Sequence, residues 1–116
     1  MDDYRDQPEP RYDIPTRRLT ETRKITTADG HTVYLSLGYD PRDSNRPREI
    51  FYSAGFKSGS QLEFMVQDAC VLISLLLQHG HMPADIAKSL SRVEQPDTSF
   101  AHGSIVGLIT EELLSK

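Results

Sequence analysis

The sequence predicts an α+β fold: a three-stranded antiparallel sheet in meander order, packed against two or three helices in two layers. Three observations predict it. Residues 31–39 alternate, with Val33, Leu35 and Leu37 on one face and Thr32, Tyr34 and Ser36 on the other. From Ser60 the period changes, because Leu62, Met65, Val66, Ala69, Leu72, Ile73, Leu76 and Leu77 recur at three- and four-residue spacing, the pattern of an amphipathic helix. Ala28-Asp29-Gly30 lies between two strand-like runs, where its Asp-Gly step supplies a tight turn.

Residues 1–15 mix charges of both signs with Pro8, Pro10 and Pro15 and read as a flexible tail on which Tyr12 and Ile14 are able to dock. Residues 16–116 then form one domain. The Thr-rich, β-branched run from Arg17 to Thr27 suits a first strand, and 31–39 the second. Pro41, Asn45 and Pro47 make 40–47 a loop. Glu49 to Ala54 is a third strand, with Ile50 and Tyr52 opposite Phe51. The long helix ends at Gly80. Val71 and Leu75 are apolar too, so its final two turns are expected to be buried nearly all round, against the sheet and against other helices or a second subunit. Pro83 opens a short second helix with Met82, Ile86 and Leu90 as its stripe. Glu94 to His102 is a loop around Pro96-Asp97, and a third helix from about Ser104 uses Ile105, Leu108, Ile109 and Leu113.

At 116 residues the chain has room for one core. Its net charge is -4, yet 10 of its 13 Lys and Arg residues precede Gln61, balanced there by 10 Asp and Glu, and the second half is acidic. No uncompensated basic domain exists, which argues against nonspecific nucleic-acid binding. Cys70, the single cysteine, lies in an apolar run, so the chain has no internal disulfide, no Cys-x-x-Cys pair and no thiolate zinc cage. A reducing cytoplasm fits this usage. The N-terminus has no apolar segment of the kind that begins a secretory signal. The longest apolar stretch, Ala69 to Leu77, falls short of the ~20 residues that cross a bilayer, and a soluble protein is expected.

Five groups of residues are candidates for chemistry. Gly55-Phe56-Lys57-Ser58-Gly59-Ser60 joins the third strand to the long helix, where glycines permit unusual backbone angles and helix N–H groups can receive an anion, with Arg48 nearby in sequence. It is no Walker A loop, since Lys57 precedes the second glycine, and a plain turn with Ser58 or Ser60 as N-cap is the simpler reading. His79 and His81 flank the end of the long helix and His102 precedes the third, so a histidine metal site can be drawn; a solvent-facing cap that complements the helix dipole is the competing one. Cys70 occupies a mid-helix position suited to a small buried residue. Arg17, Arg18, Arg23 and Lys24 border the first strand and Arg42, Arg46 and Arg48 fill the second loop, which makes either an anionic-partner surface or a solvated, charge-protected edge. Glu111 and Glu112 are adjacent, so they diverge on a helix and form a poor acid–base pair.

The segments Arg18 to Lys24, Gly30 to Tyr39, Arg48 to Phe51, Lys57 to Ser60 and Leu72 to Gly80 together resemble the TSCPD domain, over roughly residues 17–92. That domain is known from the C-terminal part of cobalamin-dependent (class II) ribonucleotide reductases and from small stand-alone proteins of bacteria and their phages. The family is named for a Thr-Ser-Cys-Pro-Asp string; here Gln95-Pro96-Asp97-Thr98-Ser99 stands without a cysteine. The radical cysteine, disulfide-forming pair, cobalamin site and large barrel of those reductases have no counterpart in this chain. The resemblance therefore implies a module of nucleotide metabolism that docks on a ribonucleotide reductase or related protein, with no cofactor and no reductase activity of its own. A small sheet with open edges, beside a helix apolar on more than one face, adds the expectation of a homodimer through Val71 and Leu75, with Arg17, Arg18 and Arg23 at its margin. A nucleotide or phosphate held by the glycine loop, and a shared catalytic site using His79, His81 or His102, are the alternatives.

Overall fold

The computed structural model describes residues 10–27, 29–97 and 99–114. Strands β1 (Leu19–Thr26), β2 (Thr32–Asp40) and β3 (Asp43–Ala54) form an antiparallel sheet in the order β1-β2-β3. Alternation sets its two faces: Val33, Leu35, Leu37 and Ile50 are fully buried, whereas Tyr34 and Phe51 stand out on the other side. Register follows, with Leu37 opposite both Glu21 and Ile50. The first turn closes through the Gly30 amide on the Thr27 carbonyl, at 3.0 Å, and Gly30 holds the left-handed backbone at φ 92°. Ala28 lies outside the described residues.

One strand is longer than the sequence predicts. The expected loop at 40–47 is a two-residue turn, Pro41-Arg42, after which β3 begins at once. Pairing jumps from Asp40↔Asp43 to Tyr39↔Pro47 and then Gly38↔Glu49, so the intervening residues bulge out of the ladder. A bulge accommodates Pro47, which has no N–H to donate, and this is why turn-forming residues sit inside a strand.

Helix α1 (Gln61–Gln78) lies on the inner face and buries Val66, Cys70, Ile73 and Leu77 against it. It stops in two reciprocal bonds, Gly80 N–H to the Leu77 carbonyl and His81 N–H to the Leu76 carbonyl, with Gly80 left-handed at φ 97°. Helix α2 (Pro83–Ala87) is a single short turn with proline at its start. The predicted loop at 94–102 is instead the tip of a hairpin, β4 (Arg92–Glu94) and β5 (Phe100–His102), whose three-residue arms are too short to show a period. Helix α3 (Ile105–Leu114) completes the core with Ile109 and Leu113.

The expected flexible tail has two parts. Residues 1–9 lie outside the described residues. Residues 11 and 12 are docked: the Tyr12 amide donates to the Gln78 carbonyl at 2.6 Å, Arg11 Nε donates to the Gln78 side-chain oxygen, and the Tyr12 hydroxyl donates to Asp40.

The free edge of β3 is covered from within the chain. Ser74 Oγ accepts from Ile50 N–H at 2.9 Å and donates to Ile50 C=O at 3.0 Å, and Gln78 Nε2 donates to the Arg48 carbonyl at 3.1 Å. Buried backbone groups need partners, and two polar side chains one turn apart on α1 supply them. At Arg48 and Ile50 the outer edge of β3 is thus closed by the chain itself.

Candidate interaction surface

The expectation that the last turns of α1 are buried all round is not met within the chain. Leu72 is 62% exposed, Met65 58%, Val71 55%, and Phe64, Leu62 and Leu76 are also exposed; Leu75 is half-buried. The physical reason is geometric: a single small sheet covers one side of a helix, α3 touches α1 without covering its outer face, and α2 packs on α3. Leu62, Met65, Ala69, Leu72 and Leu76 follow one another at alternating three- and four-residue steps, so they form a seam along the solvent side. Glu63 and Asp68 are the only charges on the helix. By length and composition α1 could cross a membrane, but its Val66-Cys70-Ile73-Leu77 stripe is buried on the sheet, as in the core helix of a folded domain.

The glycine loop is a helix cap. Ser60 has extended backbone and its hydroxyl accepts from the Glu63 amide at 3.2 Å, while Glu63 Oε1 accepts from the Gly59 amide at 3.0 Å. The negative charge that a helix N-terminus attracts is thus supplied by the chain's own Glu63. Gly55, Lys57 and Ser58 are exposed, and the Phe56 amide donates to the Tyr52 hydroxyl at 2.7 Å. Arg48 does not join them. It precedes Ala54 by six residues of strand, roughly 20 Å at the usual rise. Its guanidinium lies 3.6 Å from the centre of the Tyr12 ring and 3.7 Å from Asp43.

Arg18, Arg23, Arg42 and Arg48 are drawn into separate ion pairs. Arg18 meets both oxygens of the buried Glu49 at 2.5 and 2.6 Å, over Gly38, where any side chain would collide with Glu49. Arg23 pairs with Glu21 at 2.8 Å and Glu112 at 3.5 Å, which ties β1 to α3. Arg17 is exposed and makes no ion pair among the described residues. Arg42 donates to Asp40 through Nε at 3.0 Å and Nη2 at 2.7 Å.

Those bonds from Arg42, then the Tyr12 hydroxyl and the Arg42 amide, hold the Asp40 carboxyl well below the usual carboxylate range. The same bond to Asp40 raises the Tyr12 phenol. Because the folded-state value is the lower one, the stabilisation is complete above about pH 4 and is lost as pH falls through the folded-state value. Asp40→Asn is therefore expected to lower the thermal midpoint at pH 7, with the gap to the wild type narrowing steadily below about pH 4. Melting curves at pH 7, 5, 3 and 2.5 check this; a gap that stays constant would contradict it.

The histidines do not converge. His102 contacts Glu111 at 3.2 Å and lies against Gly107, and no cluster of three His, Cys, Asp or Glu able to hold a metal occurs among the described residues. Glu111 and Glu112 face different partners, His102 and Arg23. Cys70 is buried, which pushes its thiol up to about 11 and keeps it protonated at neutral pH.

A family model for the TSCPD domain matches residues 4–113, nearly the whole chain and more than its motifs alone suggested. The chain belongs to the TSCPD domain family. TSCPD domains are found in class II ribonucleotide reductases. No curated protein and no solved structure matches the chain. In this TSCPD domain the Gln95 to Ser99 segment forms the turn of the β4–β5 hairpin, with the Gln95 amide on the Ser99 carbonyl at 2.8 Å and Asp97 accepting from Ser99; Thr98 lies outside the described residues. The docking expected of Tyr12 is observed, whereas sequence reading missed Ser74 and Gln78 as working residues, although a serine and a glutamine four apart in the apolar second half of α1 were a usable signal.

Proposed function

We propose that the protein is a non-catalytic accessory or regulatory module of ribonucleotide reduction, or of nucleotide metabolism more broadly, that acts by protein–protein contact through the outer face of α1. The observation that carries this reading is the row of solvent-facing apolar residues from Leu62 to Leu76 on a helix with only two charges. Membership of a family found in class II reductases supplies the class of partner. A buried Cys70 held as the thiol is a poor nucleophile for thiol–disulfide exchange, which favours binding over that chemistry. The heptad-like steps of the seam favour a second reading, in which another copy of the chain packs there as a homodimer.

Affinity capture of the tagged protein from its native host tests this, with Leu72→Asp in parallel and the solution mass measured for both. A reductase or other nucleotide enzyme should co-purify with the wild type and fall to background with Leu72→Asp, whose circular dichroism stays native because the position is exposed. Capture of the chain alone, with a solution mass near twice 13.1 kDa, would replace the accessory reading by the homodimer. An enzyme that co-purifies equally with the variant would remove α1 from the contact.

A further inference from the structure

A cavity of about 480 Å³ opens between the start of β1, the bulged first residues of β3, the beginning of α2 and the last turn of α3. That volume lies within the range of small-molecule sites, about 300–1,000 Å³. Leu19, Met82 and Leu113 make much of its wall apolar. Three charged side chains line it: Glu21, Arg23 and Arg46.

The two arginines differ. Arg23 is fully engaged, by Glu21 at 2.8 Å, by the Glu112 carboxylate at 3.5 Å and by the Glu112 carbonyl. Arg46 has no carboxylate partner among the described residues; its Nη2 reaches only the Gly80 carbonyl, at 3.4 Å, and its Nε is shut off from solvent with no hydrogen-bond partner. A guanidinium is always charged, and a partly buried one without a counter-ion is costly unless something anionic completes it. The lining thus carries one positive charge in excess beside an apolar wall, while Glu21, held by Arg23, disfavours a highly charged guest.

We propose that this cavity binds a small organic anion with an apolar body, its carboxylate or phosphate head on Arg46 and its hydrocarbon part against Leu19, Met82 and Leu113. The site is separate from the outer face of α1, and its test is independent of the capture experiment. Calorimetric titration of the full chain with octanoate, octyl phosphate and octan-1-ol reads it, with Arg46→Gln and Met82→Trp as variants checked for native circular dichroism. At least one anion should bind saturably and the neutral alcohol at least tenfold more weakly. Arg46→Gln should weaken the anion about tenfold or more, as loss of a charge-assisted bond implies. Met82→Trp, which narrows the cavity at a half-exposed position, should weaken it as well. Binding of octanoate alone assigns a carboxylate head, of octyl phosphate alone a phosphate head, and of both the shared anionic chemistry. The proposal is overturned if neither anion binds, if octan-1-ol binds as tightly, or if either folded variant binds as the wild type does.

Discussion

Ser74→Ala is expected to destabilise the fold by about 2–4 kcal/mol, out of proportion to the single oxygen it removes. Ser74 serves both the N–H and the C=O of Ile50, a residue with no solvent exposure, on the side of β3 that no strand covers. Without the hydroxyl, two buried backbone groups lose their partner at once, and each costs roughly 1–3 kcal/mol when left unpaired. Urea denaturation should show the midpoint falling at unchanged slope, and the thermal midpoint should drop by roughly 10 °C or more. Asp68→Ala, on the exposed side of the same helix, should stay within about 0.5 kcal/mol. A cost for Ser74→Ala no larger than that of Asp68→Ala would mean that α1 does not seal the strand edge.

Two glycines of one loop should respond unequally to alanine. Both are left-handed, Gly55 at φ 138° and Gly59 at φ 77°, so each substitution carries backbone strain of about 1 kcal/mol or more. Only Gly55 meets an obstacle: a β-carbon there would lie 2.4 Å from the Thr32 carbonyl oxygen and 2.8 Å from the Val33 α-carbon, whereas at Gly59 nothing lies within 4 Å. Backbone cannot rotate away as a side chain can, so the end of β3 must separate from the start of β2. We expect about 3 kcal/mol for Gly55→Ala and about 1 kcal/mol for Gly59→Ala. Equal losses in denaturation would show that the close approach of the two strands at Gly55 carries no weight.

These two positions bear on how the glycine segment is understood. Its glycines first suggest an approach to an anion, but one glycine is required by a neighbouring strand and the other precedes a helix cap completed by Glu63. A partly buried guanidinium with no carboxylate partner among the described residues lies elsewhere, at Arg46, in a bulge that turn-forming residues disguise as a loop.

Local rules determined the elements with a clear period or punctuation. Alternation at Val33, Leu35 and Leu37 fixed the inner face of the sheet, the three-four spacing from Leu62 to Leu77 fixed the long helix, and Gly80 fixed its end. The family itself was legible in segments distributed along the chain. The hairpin at 92–102 was not, because three-residue arms are shorter than any period, and neither was the strand through Pro47, because a bulge breaks the register that would reveal it. Only the tertiary structure decided which side of α1 the sheet could cover, so Leu72 and Val71, as apolar as Ile73, were left in solvent. It also separated Arg18, Arg23 and Arg48, giving each a carboxylate or ring to sit against, and left Arg46 without a carboxylate among the described residues. Pattern in a sequence reports the contacts of neighbours three or four residues apart; the pairing of a charge depends on partners as distant as Arg23 and Glu112, and those are set by how the layers stack.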